Sequence, residues 1–63
     1  MEIRNPRYNS RGTIDLDMNH PVYGWIPFTA SPDDVEQYGK LIFENAKAGK
    51  YGEVRPYTED DNI

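Results

Sequence analysis

A chain of 63 residues with no cysteine and a single histidine has neither a disulfide framework nor a zinc-finger ligand set to hold it together. Chains of this size usually lean on such staples, because they bury only about 60% of the surface their unfolded form exposes. Packing alone must therefore carry the fold. Hydrophobic residues make up 37% of the chain, yet five Tyr, two Phe and one Trp bring the aromatic fraction to 13%, and each ring buries a large area. That balance describes a compact, acidic module, and 63 residues leave room for one small domain, not for a multidomain enzyme. No apolar run approaches the roughly 20 residues of a membrane helix, and Met1 to Arg7 lacks the apolar stretch of a signal peptide. The expectation is a soluble chain that is not exported by its own leader.

The net charge of −4 is unevenly spread, at +2 over residues 1–11, −5 over 12–36, +2 over 37–52 and −3 over 53–63. Most of these groups suit solvated faces and chain ends. No stripe of Lys and Arg is available to displace counterions from nucleic acid or to adsorb on an anionic membrane, so neither is an expected partner. Residues 58–63, Thr58-Glu59-Asp60-Asp61-Asn62-Ile63, read as a disordered acidic tail behind a single domain at 1–57.

Turn-favouring Asn9, Ser10 and Gly12 precede the alternating run Thr13-Ile14-Asp15-Leu16-Asp17-Met18, which predicts a hairpin leading into a strand. Period two sends Ile14, Leu16 and Met18 to one face and Thr13, Asp15 and Asp17 to the other, the pattern of an antiparallel sheet with one wet side. Glu2 to Tyr8 suits a short strand that Pro6 confines to an edge. Asn19-His20-Pro21 reads as a connection, and Val22 to Phe28 as a second apolar run in which Tyr23 and Trp25 oppose Val22, Ile26 and Phe28. Pro27 places the end of that run, or a sheet edge, at its position.

Ser31-Pro32-Asp33-Asp34 combines an N-cap, a first-turn proline and acidic residues at the positive end of a helix dipole, so a helix is predicted to start there with Ser31 as its cap. At 100° per residue, Val35, Tyr38, Ile42 and Ala46 form its buried stripe, flanked by Leu41 and Phe43, with Glu36, Gln37, Lys40, Glu44 and Lys47 opposite. Glu36 and Lys40 are spaced as an i, i+4 pair. Gly39 on the buried stripe implies a close approach to the sheet, under a ring such as Trp25 or Phe28. Gly49 ends the helix, and Glu53 to Tyr57 is long enough for a last short strand. The assembled expectation is an α+β minidomain, a small antiparallel sheet of two to four short strands packed by one amphipathic helix.

No constellation of residues in the sequence fits a catalytic or metal-binding template. Asp15-Leu16-Asp17-Met18-Asn19 begins like a calcium loop, but His20 stands where a glycine is needed and Ile26 where a bidentate Glu is needed. His20 precedes Pro21 as a turn residue would, Ser31 is accounted for as a cap, and the glycines are too scattered for a phosphate loop. No catalytic, cofactor-binding or metal-binding residue and no small-molecule substrate is expected, and the chain is not read as an enzyme. The distinctive cluster is Tyr23-Gly24-Trp25-Ile26-Pro27-Phe28. Alternation cannot bury all of its large side chains on one face, and exposed Tyr and Trp are the usual anchors of protein interfaces. Tyr23 and Trp25, with Asp15 and Asp17 of the wet strand face, are therefore the candidate protein-binding residues. The bland reading, in which the aromatic segment is core, stands beside it.

The stretch Asp15-Leu16-Asp17-Met18-Asn19-His20-Pro21-Val22-Tyr23-Gly24-Trp25-Ile26-Pro27-Phe28-Thr29-Ala30-Ser31-Pro32-Asp33-Asp34 resembles a segment of small phage and prophage proteins from tail gene regions, some described as tail or tail-fibre assembly proteins. Those proteins share an Asn-Pro-Arg-Tyr-like opening, a His-Pro-x-Tyr-Gly-Trp-x-Pro-Phe-Thr core and a helix after Ser-Pro-Asp-Asp, and the match runs to about Tyr57. The resemblance implies a non-enzymatic assembly or interaction module that binds another phage tail or fibre protein, or a second copy of itself. Its place would be the host bacterial cytoplasm during assembly, or the virion tail. The alternative from a different class is a small acidic inhibitor or regulator of a host protein, acting through faces that mimic an anionic ligand.

Overall fold

The computed structural model describes residues 2–58. Apart from Thr58, the acidic tail expected at 58–63 lies outside the described residues. Strands β1 (Ile3–Tyr8), β2 (Ile14–His20) and β3 (Gly24–Ala30) are followed by a single helix α1 (Gln37–Lys47). The strands form an antiparallel sheet in the order β1-β2-β3, and the helix packs across one face, so the chain is a small α+β fold.

Period two in β2 sets the layers. Ile14, Leu16 and Met18 point into the core, with Ile14 and Leu16 fully buried, while Asp15 and Asp17 take the other face. In β3 the register Ile14↔Ala30, Leu16↔Phe28 and Met18↔Ile26 places Ala30, Phe28 and Ile26 on the core side. The helix closes that side with Ile42, Phe43 and Ala46, and Ile3, Tyr8, Tyr51 and Val54 fill its rim. Alternation sorts the two faces as the sequence implies, because a strand covered on one side has no other way to bury its large apolar groups.

The turn between β1 and β2 is built around Asn9. Its Oδ1 accepts the backbone N–H groups of Arg11 (2.9 Å) and Thr13 (3.2 Å), and its Nδ2 donates to Thr13 Oγ1 (2.6 Å) and Asp15 Oδ1 (3.0 Å). The second connection falls later than expected. Asn19 and His20 belong to β2, and the turn is Pro21-Val22-Tyr23. His20 Nδ1 accepts the N–H groups of Val22 (3.1 Å) and Tyr23 (3.3 Å), so the imidazole holds the turn from inside the strand.

Strand β1 is irregular where its proline lies. Arg4 pairs with Asp17 and Arg7 with Asp15, so Asn5 and Pro6 together oppose Leu16 in a bulge. Asn5 takes the left-handed conformation this requires, at φ 59°, a region Asn tolerates better than most residues. Pro6 lies on the edge strand as its missing donor demands. Its carbonyl accepts Arg55 N–H (3.1 Å), and Tyr8 N–H donates to Arg55 O (2.9 Å). That single parallel bridge is what forms at 53–57 instead of the expected strand. β1 ends at Tyr8, leaving the segment nothing further to pair with.

The helix departs from its expected start. Ser31 Oγ accepts Asp33 N–H (3.2 Å) and Asp34 N–H donates to Ser31 O (3.3 Å), which makes one turn that does not propagate. Asp34 Oδ1 then accepts Glu36 N–H (2.9 Å). An Asp side chain that bonds its own backbone two residues on offers the chain an alternative to helix, and α1 begins only after Glu36, an N-cap in extended conformation without a side-chain bond. Glu36 therefore meets Lys40 through its carbonyl, which accepts Lys40 N–H (3.4 Å), rather than as a pair on one helix face. The buried stripe is rotated accordingly. It consists of Gly39, Ile42, Phe43 and Ala46, and Val35, outside the helix, is 95% exposed, with Tyr38 and Leu41 exposed beside it.

Gly39 is needed for a neighbour other than the expected ring. A Cβ at this position would overlap the carboxylate of Asp34, whose own Cβ would stand only 3.0 Å away. The chain leading into the helix folds back on its first turn, and only a residue without a side chain leaves room. At the other end Gly49 adopts φ 85° and Lys50 N–H reaches back to Asn45 O (3.0 Å), a left-handed stop at the predicted place. Among the described residues no helix is long and apolar enough to cross a membrane.

Candidate functional site

The helix covers one face of the sheet and leaves the other open. On the open face β1 contributes Arg4 and Arg7, β2 contributes Asp15, Asp17 and Asn19, and β3 contributes Trp25, Pro27 and Thr29. Trp25 is 39% exposed, and the Arg4 guanidinium stands 3.7 Å over its ring. Arg4 Nε lies 3.8 Å from Asp17 Oδ2, and Arg7 Nη1 lies 3.8 Å from Asp17 Oδ1. Asp17 is thus held between two arginines, one of which also stacks on the tryptophan. Each contact is modest, the ion pairs at about 0–1 kcal/mol and the cation–π contact at about 0.5–1 kcal/mol. Together they order four side chains across three strands without covering them.

Asp15 has a separate role. Its Oδ1 accepts Asn9 Nδ2 (3.0 Å) and Thr29 Oγ1 (2.7 Å), so it ties the first turn to β3 across the sheet. Beside it lies a shallow concavity of about 340 Å³ lined by Arg7, Asp15, Leu16, Pro27, Phe28 and Thr29. No polar side-chain atom is buried without a partner among the described residues, and none there gathers the three or more His, Asp or Glu side chains that a metal ion would need.

Of the candidate residues, Trp25, Asp15 and Asp17 share the open face. Tyr23 does not reach it through strand alternation, because it lies in the turn before β3. Its ring stacks on His20 at 4.8 Å between centroids, and His20 has the strand parity of Met18 and the core set. Tyr23 is nonetheless 75% exposed, at the tip of the second hairpin.

Sequence reasoning passed over Arg4 and Arg7. Three residues apart on a regular strand, they belong to opposite faces. The Asn5-Pro6 bulge inserts one position between them and brings both to the open side. The available signal was Asn-Pro inside a strand-like segment, since an αL-tolerant residue followed by one with no donor is how a bulge looks in sequence. No protein-family model, curated protein or solved structure matches this chain.

Proposed function

We propose that this chain is a non-enzymatic interaction module that binds another protein through the open face of its sheet. Following the tail-region resemblance of Asp15 to Asp34, the partner is a phage tail or fibre protein, met in the host cytoplasm during assembly. The observation that carries the reading is the Trp25–Arg4–Asp17–Arg7 array, held in place and left uncovered on the face opposite the helix. Trp and Arg are the residue types that most often anchor protein interfaces. A rigid ring flanked by a paired charge also loses little side-chain freedom on docking.

The acidic-inhibitor alternative needs carboxylates gathered and presented together. Here Asp17 sits between two arginines, Asp15 is hydrogen-bonded within the sheet, and Asp34 is turned onto the start of its own helix. This arrangement supports the interaction module over the mimic of an anionic ligand.

The test is pairwise binding of the purified chain to phage tail and fibre proteins, measured by calorimetry with the parent chain and with Trp25→Ala. The reading expects one partner to bind the parent and to bind Trp25→Ala at least about tenfold more weakly, while the variant keeps the parent's circular dichroism. A partner bound equally well by both chains would remove the open face from the interface.

A further inference from the structure

The two outer edges of the sheet are protected very unequally. β1 carries Arg4 and Arg7, is bent by the Asn5-Pro6 bulge, and has its outward Pro6 carbonyl and Tyr8 N–H occupied by Arg55. β3, Gly24-Trp25-Ile26-Pro27-Phe28-Thr29-Ala30, contains no charged residue, runs in unbroken register with β2, and among the described residues has no strand or bridge on its outer side. A long, flat, uncharged edge is the kind that recruits another strand.

Which backbone groups face outward follows from the ladder. Asn19 N–H donates to Glu2 O across β1, so the odd positions of β2 serve β1 and the even positions serve β3. Their partners Gly24, Ile26, Phe28 and Ala30 direct N–H and C=O inward to β2. Trp25, Pro27 and Thr29 therefore direct theirs to the free edge, and the central one of the three has no N–H. We propose that the outer edge of β3 is a self-complementary surface for a second copy of this chain, and that Pro27 alone keeps it closed.

The register argues for a second copy. An identical strand laid antiparallel about the centre of β3 sets Trp25 against Thr29 of the other copy on both sides of the two-fold axis, and each such pair can exchange both backbone bonds. On the axis itself proline meets proline, where both bonds are missing and the Cδ of each ring is driven against the opposing carbonyl. No charge in β3 opposes the approach. The apolar groups beside the edge would extend the contact, since Phe28 touches Tyr38 at 5.8 Å between ring centroids and Leu41 continues the exposed helix flank. Pro27 thus withholds a dimer that the rest of the strand is built to form.

Sedimentation equilibrium and amide hydrogen exchange on the full chain test this. The parent should be free of β3-edge dimers, with Trp25 and Thr29 amides exchanging rapidly while Ile26 and Phe28 are protected. Pro27→Val restores both axial hydrogen bonds and should raise self-association by at least about tenfold, with Trp25 and Thr29 becoming protected. Adding Thr29→Lys to that variant places a charge on the edge and should return the monomer, which keeps the test decisive if Pro27→Val alone precipitates. A folded Pro27→Val chain that stays monomeric would overturn the proposal. So would a dimer in which Trp25 and Thr29 still exchange freely, a parent chain already protected at those two amides, or a double variant that precipitates as the single one does.

Discussion

Residues 3–30 and residues 31–58 are held by different means. The first segment is a meander in which each strand pairs with the next, and β2 is covered by a neighbour on both sides. The second is a helix laid over the meander through Ile42, Phe43 and Ala46, with one backbone bridge at Arg55. In the meander a residue's position in the alternation decides whether it is buried. In the helical segment that decision is made by a turn, because the place where Asp34 and Glu36 stop the chain sets the rotation of everything after it. Stability therefore concentrates in β2, while the orientation of the helix depends on a few polar contacts at its start.

The strongest test of that division is at the centre of the meander. Leu16 is fully buried between both neighbouring strands, and Leu16→Ala should destabilise by about 3 kcal/mol through lost burial and the cavity left behind. In a domain this small that is a large part of the total, and chemical denaturation should show a broad or absent native baseline. Asn9→Ala comes next. It removes two side-chain acceptor bonds to the turn and the donor bonds to Thr13 and Asp15, and should cost about 1–2 kcal/mol, read as a lowered urea midpoint with unchanged slope.

Gly39→Ala probes the other segment. An interior helix Gly→Ala change normally gains up to about 1 kcal/mol; here the new methyl must displace the Asp34 carboxylate from its bond to Glu36, and the variant should be less stable than the parent by about 1 kcal/mol. In an Asp34→Ala background the penalty of the same change should shrink, because the carboxylate is gone and only the 3.0 Å approach of the two Cβ atoms remains. A double-mutant cycle with no coupling would mean that Asp34 does not set the helix start. The smallest effect belongs to Val35→Ser, which should shift stability by less than about 0.5 kcal/mol because the side chain is exposed. A loss comparable to that of a core residue would place Val35 under the helix, where an earlier helix start would have put it.

The sheet was legible from sequence because one rule, period two, runs along β2 and agrees with the turn residues Asn9, Ser10 and Gly12 before it. The helix start was not, because Ser31, Pro32, Asp33 and Asp34 suit a helix N-terminus and a tight polar turn equally well. What separates them is the packing of Asp34 against Gly39, a contact five residues apart that no local pattern encodes. Once the start moved, Val35 fell outside the helix and Tyr38 left the buried stripe, while Phe43 moved from its flank into it and Gly39 stayed. On the open face, Asp15, Asp17 and Trp25 could be placed by counting along strands. Arg4 and Arg7 required knowing where the bulge falls, and Tyr23 required knowing that the turn extends past His20.

The bridge between Arg7 and Arg55 has a consequence in time. The two hairpins join near neighbours in sequence and close in microseconds, whereas this bridge joins the two ends of the described chain and must wait for the largest loop to close. Among the described residues it is also a lone rung at a solvent-facing edge, so its opening leaves the rest of the sheet intact. The stretch around Arg55 is thus the last described part to settle and the first to lift, and each lifting uncovers the outward N–H of Tyr8 and the carbonyl of Pro6 for as long as the molecule breathes.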